Sequence, residues 1–157
     1  MLLPSQAEFA SLLPRESRLL GLDVGEKTIG LALSDLSRTI ASPLVTIERS
    51  KFTKDMEKLK EIIATHQVAG LIIGYPVNMD GSLGPRTQST RTFVSNLGKH
   101  INLPMLLWDE RMSTMAVERV MLDADLSRAR RGELVDKLAA AYILQSALDT
   151  LKMSGNR

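Results

Sequence analysis

Three carboxylates offer this chain its chemistry: Asp23, Glu110 and Asp136. Asp23 lies inside Arg18 to Asp35 (RLLGLDVGEKTIGLALSD). There Leu20, Leu22 and Val24 alternate with Gly21, Asp23 and Gly25, and Ile29, Leu31 and Leu33 alternate with Gly30, Ala32 and Ser34. Such alternation marks two half-buried strands. A two-residue turn at Glu26 and Lys27 sets Asp23 opposite Gly30, Val24 opposite Ile29 and Gly21 opposite Ala32. One face of the hairpin is then large and apolar, and the other carries Gly, Ala, Ser and a single carboxylate. Strands disfavour both Asp and Gly, so their concentration on one face suggests that something approaches the sheet there. The plain alternative is an Asp near a turn that bonds local backbone N–H groups.

Glu110 follows a predicted strand, Leu103 to Trp108, at the kind of strand end where open α/β sheets place ligands. A solvated Asp-Glu-Arg cluster is its plain alternative. Asp136 falls in the first turn of a predicted last helix, where the helix dipole alone favours a carboxylate. Its same-face neighbours Ala139 and Ala140 would let that helix approach the sheet closely and bring Asp136 towards Asp23. Acidic groups converging from two strands and a helix suit a hard divalent cation bound through oxygen, Mg²⁺ above all. Two such ions about 4 Å apart can support phosphodiester hydrolysis. His66 and His100 both fall near helix C-termini and do not compete as ligands.

The elements that must position these groups follow from periodicity. Ile40 to Ile47 reads as a third strand, with Pro43 pointing to an edge or a bulge. Phe52 to His66 is a helix, through Phe52, Met56, Leu59 and Ile63. Val68 to Gly74 is a buried strand, Tyr75 to Arg86 a loop, and Thr87 to His100 a second helix. After Glu110, Ser113 or Thr114 caps a helix carrying Met115, Val117, Val120 and Met121. Asp123 to Gly132 reads as a polar, basic connection, and Leu134 to about Leu151 as the last helix. Three strands in a meander, then strands separated by helices, imply an α/β fold: a mixed five-stranded sheet with helices on both faces.

Residues 1 to 17 read as an N-terminal extension with a short helix using Phe9, Leu12 and Leu13, ahead of one domain over residues 18 to 152. The 157 residues include no cysteine, which removes disulfides and thiolate metal sites and fits a cytoplasmic protein. No apolar run approaches the ~18 residues of a membrane span, so no membrane partner is expected. The net charge is only +2. Its distribution matters more: Lys27, Arg86, Arg91, Arg111, Arg128, Arg130 and Arg131 flank the acidic motifs and are candidate nucleic-acid contacts.

In this order of elements the chain resembles the RNase H-like nucleases, and within them the YqgF (RuvX) family, the pre-16S rRNA nucleases also described as Holliday-junction resolvase-like. The motifs are GLDVGEKTIGLALSD from Gly21, GYPVNMDGSLGPRTQ from Gly74, DERMST from Asp109 and VDKLAAAYILQ from Val135. Tyr75 stands where the family usually has Leu, and Ser113 where it often has Thr. The resemblance implies that Asp23, Glu110 and Asp136 are catalytic carboxylates holding Mg²⁺ or Mn²⁺, and that the substrate is RNA, pre-16S rRNA. Alternatives are a four-way DNA junction resolvase on the same fold and a nucleic-acid-binding regulatory protein with little activity. A phosphate-binding fold of the actin and sugar-kinase kind needs a second lobe that 157 residues cannot supply. A resolvase needs a symmetric dimer. The apolar helical faces here are committed to one core, so a monomer or weak homodimer is expected.

Overall fold

The computed structural model of the chain describes residues 4–75, 84–109 and 128–155. Its sheet grows from the hairpin. Strand β1 (Arg18–Val24) pairs antiparallel with β2 (Thr28–Ser34), with Asp23 opposite Gly30, Val24 opposite Ile29 and Gly21 opposite Ala32. Gly25 N–H donates to Thr28 O at 2.8 Å and closes the turn over Glu26 and Lys27. This is the register that the alternation predicts.

Strand β3 (Ala41–Glu48) pairs antiparallel with β2 and forms one edge. Leu31 faces Val45 while Ala32 faces Pro43, so Leu44 is one residue too many. That bulge lies beside the proline, whose missing N–H suits an edge. Strand β4 (Val68–Tyr75) lies parallel to β1, and β5 (Met105–Asp109) parallel to β4. The sheet order is β3-β2-β1-β4-β5, the mixed five-stranded sheet expected.

Helix α1 (Gln6–Ser11) starts with a capping box. The Ser5 hydroxyl accepts from Glu8 N–H, and the Glu8 carboxylate accepts from Ser5 N–H. Helix α2 (Phe52–His66) has the boundaries predicted. Helix α3 (Pro85–Gly98) begins two residues early, with proline in the first turn, where its missing N–H costs nothing. Strand β5 begins after Pro104 rather than at Leu103.

The largest departure is the last helix, α4, which runs Arg128–Gly155. The connection expected through Gly132 is helical from Arg128 onward. Arg, Ala, Glu and Leu all favour helix, and one interior glycine costs only about 1 kcal/mol. The expected helix over Met115 to Met121 and most of the Tyr75–Arg86 loop lie outside the described residues.

The two sheet faces bury separate cores. On one, Leu20, Leu22, Leu31, Leu71 and Ile73 pack with Met56 and Leu59 of α2 and with Phe93, Val94 and Leu97 of α3. On the other, Leu19, Ala32, Ile72 and Leu106 pack with Ala140, Ile143, Leu144, Ala147 and Leu148 of α4. Phe9 of α1 is fully buried in this second core. A β-carbon on Gly70 would sit 3.0 Å from Phe9 Cζ, so the bare backbone there makes room for the ring. No helix among the described residues is long and apolar enough to cross a membrane.

Candidate active site

Asp23 sits near the C-terminal end of β1, half-buried, on the face that carries Gly21, Gly30 and Ala32. Helix α4 covers that face. A β-carbon built on Gly21 would lie 2.8 Å from Leu144 Cβ and 3.0 Å from Ala140 O. Real side chains do not approach so closely, so only glycine admits the helix at this depth. Ala139 and Ala140 are both fully buried, as the small-residue face of α4 requires.

The direction of α4 follows from its other contacts. Leu148, Leu151 and Lys152, near its C-terminal end, line a cleft with Leu19, Ser37 and Arg38. Gln145 accepts from Ala41 N–H at 2.9 Å and donates to Thr39 O at 2.8 Å. The helix therefore runs opposite to β1, from Asp23's end towards Leu19. Moving from Gly21 to Asp23 advances about 6.8 Å along the strand. Moving back one turn from Ala140 to Asp136 covers about 6 Å of helix. The two steps match, so the backbone of Asp136 lies at Asp23's end of the helix–sheet contact.

Asp136 is not in the first turn, which holds no acidic residue. It lies eight residues beyond Arg128, and the dipole effect fades within one turn. The dipole explanation for this carboxylate therefore does not apply. Strand β5 ends at Asp109, on the same side of the sheet as the C-terminal end of β1, because β1, β4 and β5 are parallel. Trp108 of that strand donates its indole N–H to Ser146 of α4 at 3.2 Å. Glu110, the next residue, lies outside the described residues.

Among the described residues, no group of three or more His, Cys, Asp or Glu side chains is gathered as a metal site. The chain has no cysteine. His66 ends α2, and the His100 ring stacks edge-on against Phe52 at 5.4 Å. The carboxylates that the sequence offers present oxygen, the ligand atom that suits a hard divalent cation. The strongly perturbed carboxylate is a different one. Asp35, just past the far end of β2, is lowered to about 2 by hydrogen bonds from the Ser37 hydroxyl and the Thr39 and Ile40 N–H groups. It shapes the β2–β3 connection.

The candidate cations divide. Lys27 is exposed in the β1–β2 turn. Arg91 of α3 donates to the Tyr75 hydroxyl at 2.7 Å and lies over its ring at 5.7 Å, at the end of β4. Arg86 is the second residue of α3, and Arg128, Arg130 and Arg131 occupy the start of α4. Arg111 is outside the described residues. One cation at this end escaped the sequence reading. Arg49, just after β3, donates to Gly25 O at 2.6 Å. Its contacts come from chain segments distant in sequence, and no local pattern announces them.

Known proteins place the chain. A family model described as "RuvX: Holliday junction resolvase" matches residues 17–150. A protein of Rhodobacter capsulatus named "Putative pre-16S rRNA nuclease" is 57% identical over 155 residues, covering 99% of this chain and 98% of that one. A protein of the same name from Zymomonas mobilis is 59% identical over 145 residues, covering 92% of this chain and 88% of that one. Among solved structures, RuvC of T. thermophilus in complex with a Holliday junction substrate aligns with a TM-score of 0.55 at 18% identity. That alignment covers 88% of this chain and 97% of that one, and it shows the same fold. With a family match over nearly its whole length and relatives above half identity, the chain belongs to the RuvX family and is a nuclease, a hydrolase of phosphodiester bonds.

Proposed function

We propose that this nuclease is a divalent-metal-dependent endonuclease that cuts RNA at the 5′ end of pre-16S rRNA, in the cytoplasm, with Asp23, Glu110 and Asp136 holding Mg²⁺ or Mn²⁺. The observation that carries the proposal is the docking of α4 at Gly21, which sets the helix backbone at Asp136 level with Asp23. A divalent ion bound there would activate water and offset charge on the phosphodiester. The protein's own part is to hold its carboxylates on rigid elements: Asp23 in a paired strand and Asp136 in a helix packed tightly on that strand. Cations flanking the acidic motifs offset the repulsion between those carboxylates and the incoming phosphates.

The choice of RNA rests on the relatives named for pre-16S rRNA, at 57% and 59% identity. A second reading, resolution of four-way DNA junctions, is favoured by the family's own description. One experiment separates them. The protein is incubated with a pre-16S 5′-end fragment and a synthetic four-way junction at equal concentration, with and without Mn²⁺. Cleavage of the RNA, dependent on the ion, is the expected result. Paired symmetric incisions in the junction with the RNA intact would establish the resolvase instead.

A further inference from the structure

A small cleft of about 90 Å³ opens between the β1–β2 turn and α3, lined by Val24, Gly25, Glu26, Arg49, Ser89 and Thr90. Its wall Val24 follows Asp23 in β1, so the cleft opens at the same strand end but on the α2/α3 face of the sheet, opposite the face that carries Asp23. Arg49 is its cationic wall and is held from three directions. Its backbone N–H donates to Lys27 O at 2.8 Å. Its guanidinium donates to Gly25 O at 2.6 Å. The same group lies over the Phe93 ring at 5.4 Å, and Phe93 is buried in α3. A carbonyl and an aromatic face orient a guanidinium without neutralising it. A guanidinium carries five N–H donors in a planar fork, the geometry that matches a phosphate, and among the described residues one of them goes to Gly25 O.

We propose that this cleft takes a phosphate of the nucleic-acid backbone where the chain passes the Asp23 end of the sheet, with Arg49 as its cationic partner and hence a substrate-positioning residue. The inference rests on the nuclease reading. Three features support it: the cleft lies at the same end of β1 as Asp23, on the opposite face of the sheet, the charge is preoriented, and the cleft is open enough for one anionic group. Ser89, exposed on α3, adds a hydroxyl at the rim. Glu26, exposed on the turn, is the opposing charge, and removing it should strengthen the site.

The alternative is that Arg49 only braces the turn. The two are separated by the binding of a labelled pre-16S fragment in EDTA over a salt series, together with steady-state kinetics in Mn²⁺. Arg49→Ala is expected to flatten the log–log salt dependence by roughly 0.7 to 0.9 units, one phosphate contact. It should also raise KM with kcat little changed. Arg49→Lys, which keeps the charge, should restore the slope, and Glu26→Gln should tighten binding. Should Arg49→Ala keep the wild-type slope and KM while losing kcat or melting temperature, Arg49 is a brace and the proposal falls. Failure of the nuclease reading looks different: wild type then binds and cuts neither the RNA nor a four-way junction, and the Arg49 proposal falls with it. The same slope change on the junction alone would keep the cleft and overturn the RNA.

Discussion

Gly21 of β1 and Leu144 of α4 are in contact so close that a β-carbon on the glycine would stand 2.8 Å from Leu144 Cβ. The backbone carbonyl of Ala140, one turn earlier in the same helix, would lie 3.0 Å from that β-carbon as well. Gly21→Ala is therefore expected to destabilise the fold by about 1–3 kcal/mol, the usual range for overpacking. It should also lower kcat, because it pushes away the helix that carries Asp136. Urea denaturation and turnover measured on the same preparation check both halves. A mutant with wild-type stability and rate would show that α4 is not seated as described.

Asp23→Asn should abolish cleavage and leave the fold intact. The substitution removes a charge while keeping side-chain volume, on a face where Asp23 is only half-buried. Circular dichroism should be unchanged, and cleavage of the RNA fragment should be lost even at saturating metal. Wild-type turnover would end the metal assignment.

Mg²⁺ or Mn²⁺ should support cleavage where Ca²⁺ does not, since looser coordination misplaces reacting groups. Binding of the ion to the folded protein alone should also raise stability, by about 2.7 kcal/mol at a hundredfold excess over Kd. In a thermal melt that is a shift of several degrees, absent in Asp23→Asn. Cleavage undiminished in excess EDTA would overturn the dependence.

Asp35 gives a pH prediction. Its folded pKa, about 2, lies below the usual aspartate value of about 3.9. A carboxyl whose pKa is depressed by folding contributes stability that is fully present above the unfolded value and lost as pH falls through the folded one. The protein should thus lose stability between about pH 5 and pH 2 more steeply than Asp35→Asn does. Because Asp35 is exposed, solvent screening reduces the effect to about 1 kcal/mol or less. Denaturation midpoints of the two proteins at pH 7 and pH 3 measure it; parallel loss in both would remove the role assigned to these hydrogen bonds.

The segment Arg128, Arg130 and Arg131 starts α4 rather than lying in a connection. If these residues contact phosphates, replacing all three with Ala should flatten the salt dependence of RNA binding by roughly two to three units. An unchanged slope would remove this helical turn from the interface.

What could be read from the sequence was whatever depends on near neighbours. The alternation around Asp23 and a two-residue turn determine the β1–β2 register, and Pro43 marks both an edge and a bulge because it lacks an N–H. The start of α4 was hidden because Arg128 to Gly132 has no apolar period and includes a glycine, so it reads as a break until helix propensity is weighed. The depth at which α4 sits on Gly21, and Arg49's grip on the turn, depend on residues more than 20 positions away, and periodicity is silent about those.

The burial of Phe9, Leu19, Ile72 and Leu106 under the final helix has a consequence for synthesis on the ribosome. The strand bearing Asp23 is made early and can pair with β2 at once, but α4 is made last. Until it emerges, this face of the sheet lacks its main cover, and Asp136 has not been made. If Asp136 holds the metal as proposed, a nascent chain is inert as a nuclease until α4 is made, and a chain cut short before Arg128 exposes a sticky sheet face that holdases and proteases would recognise.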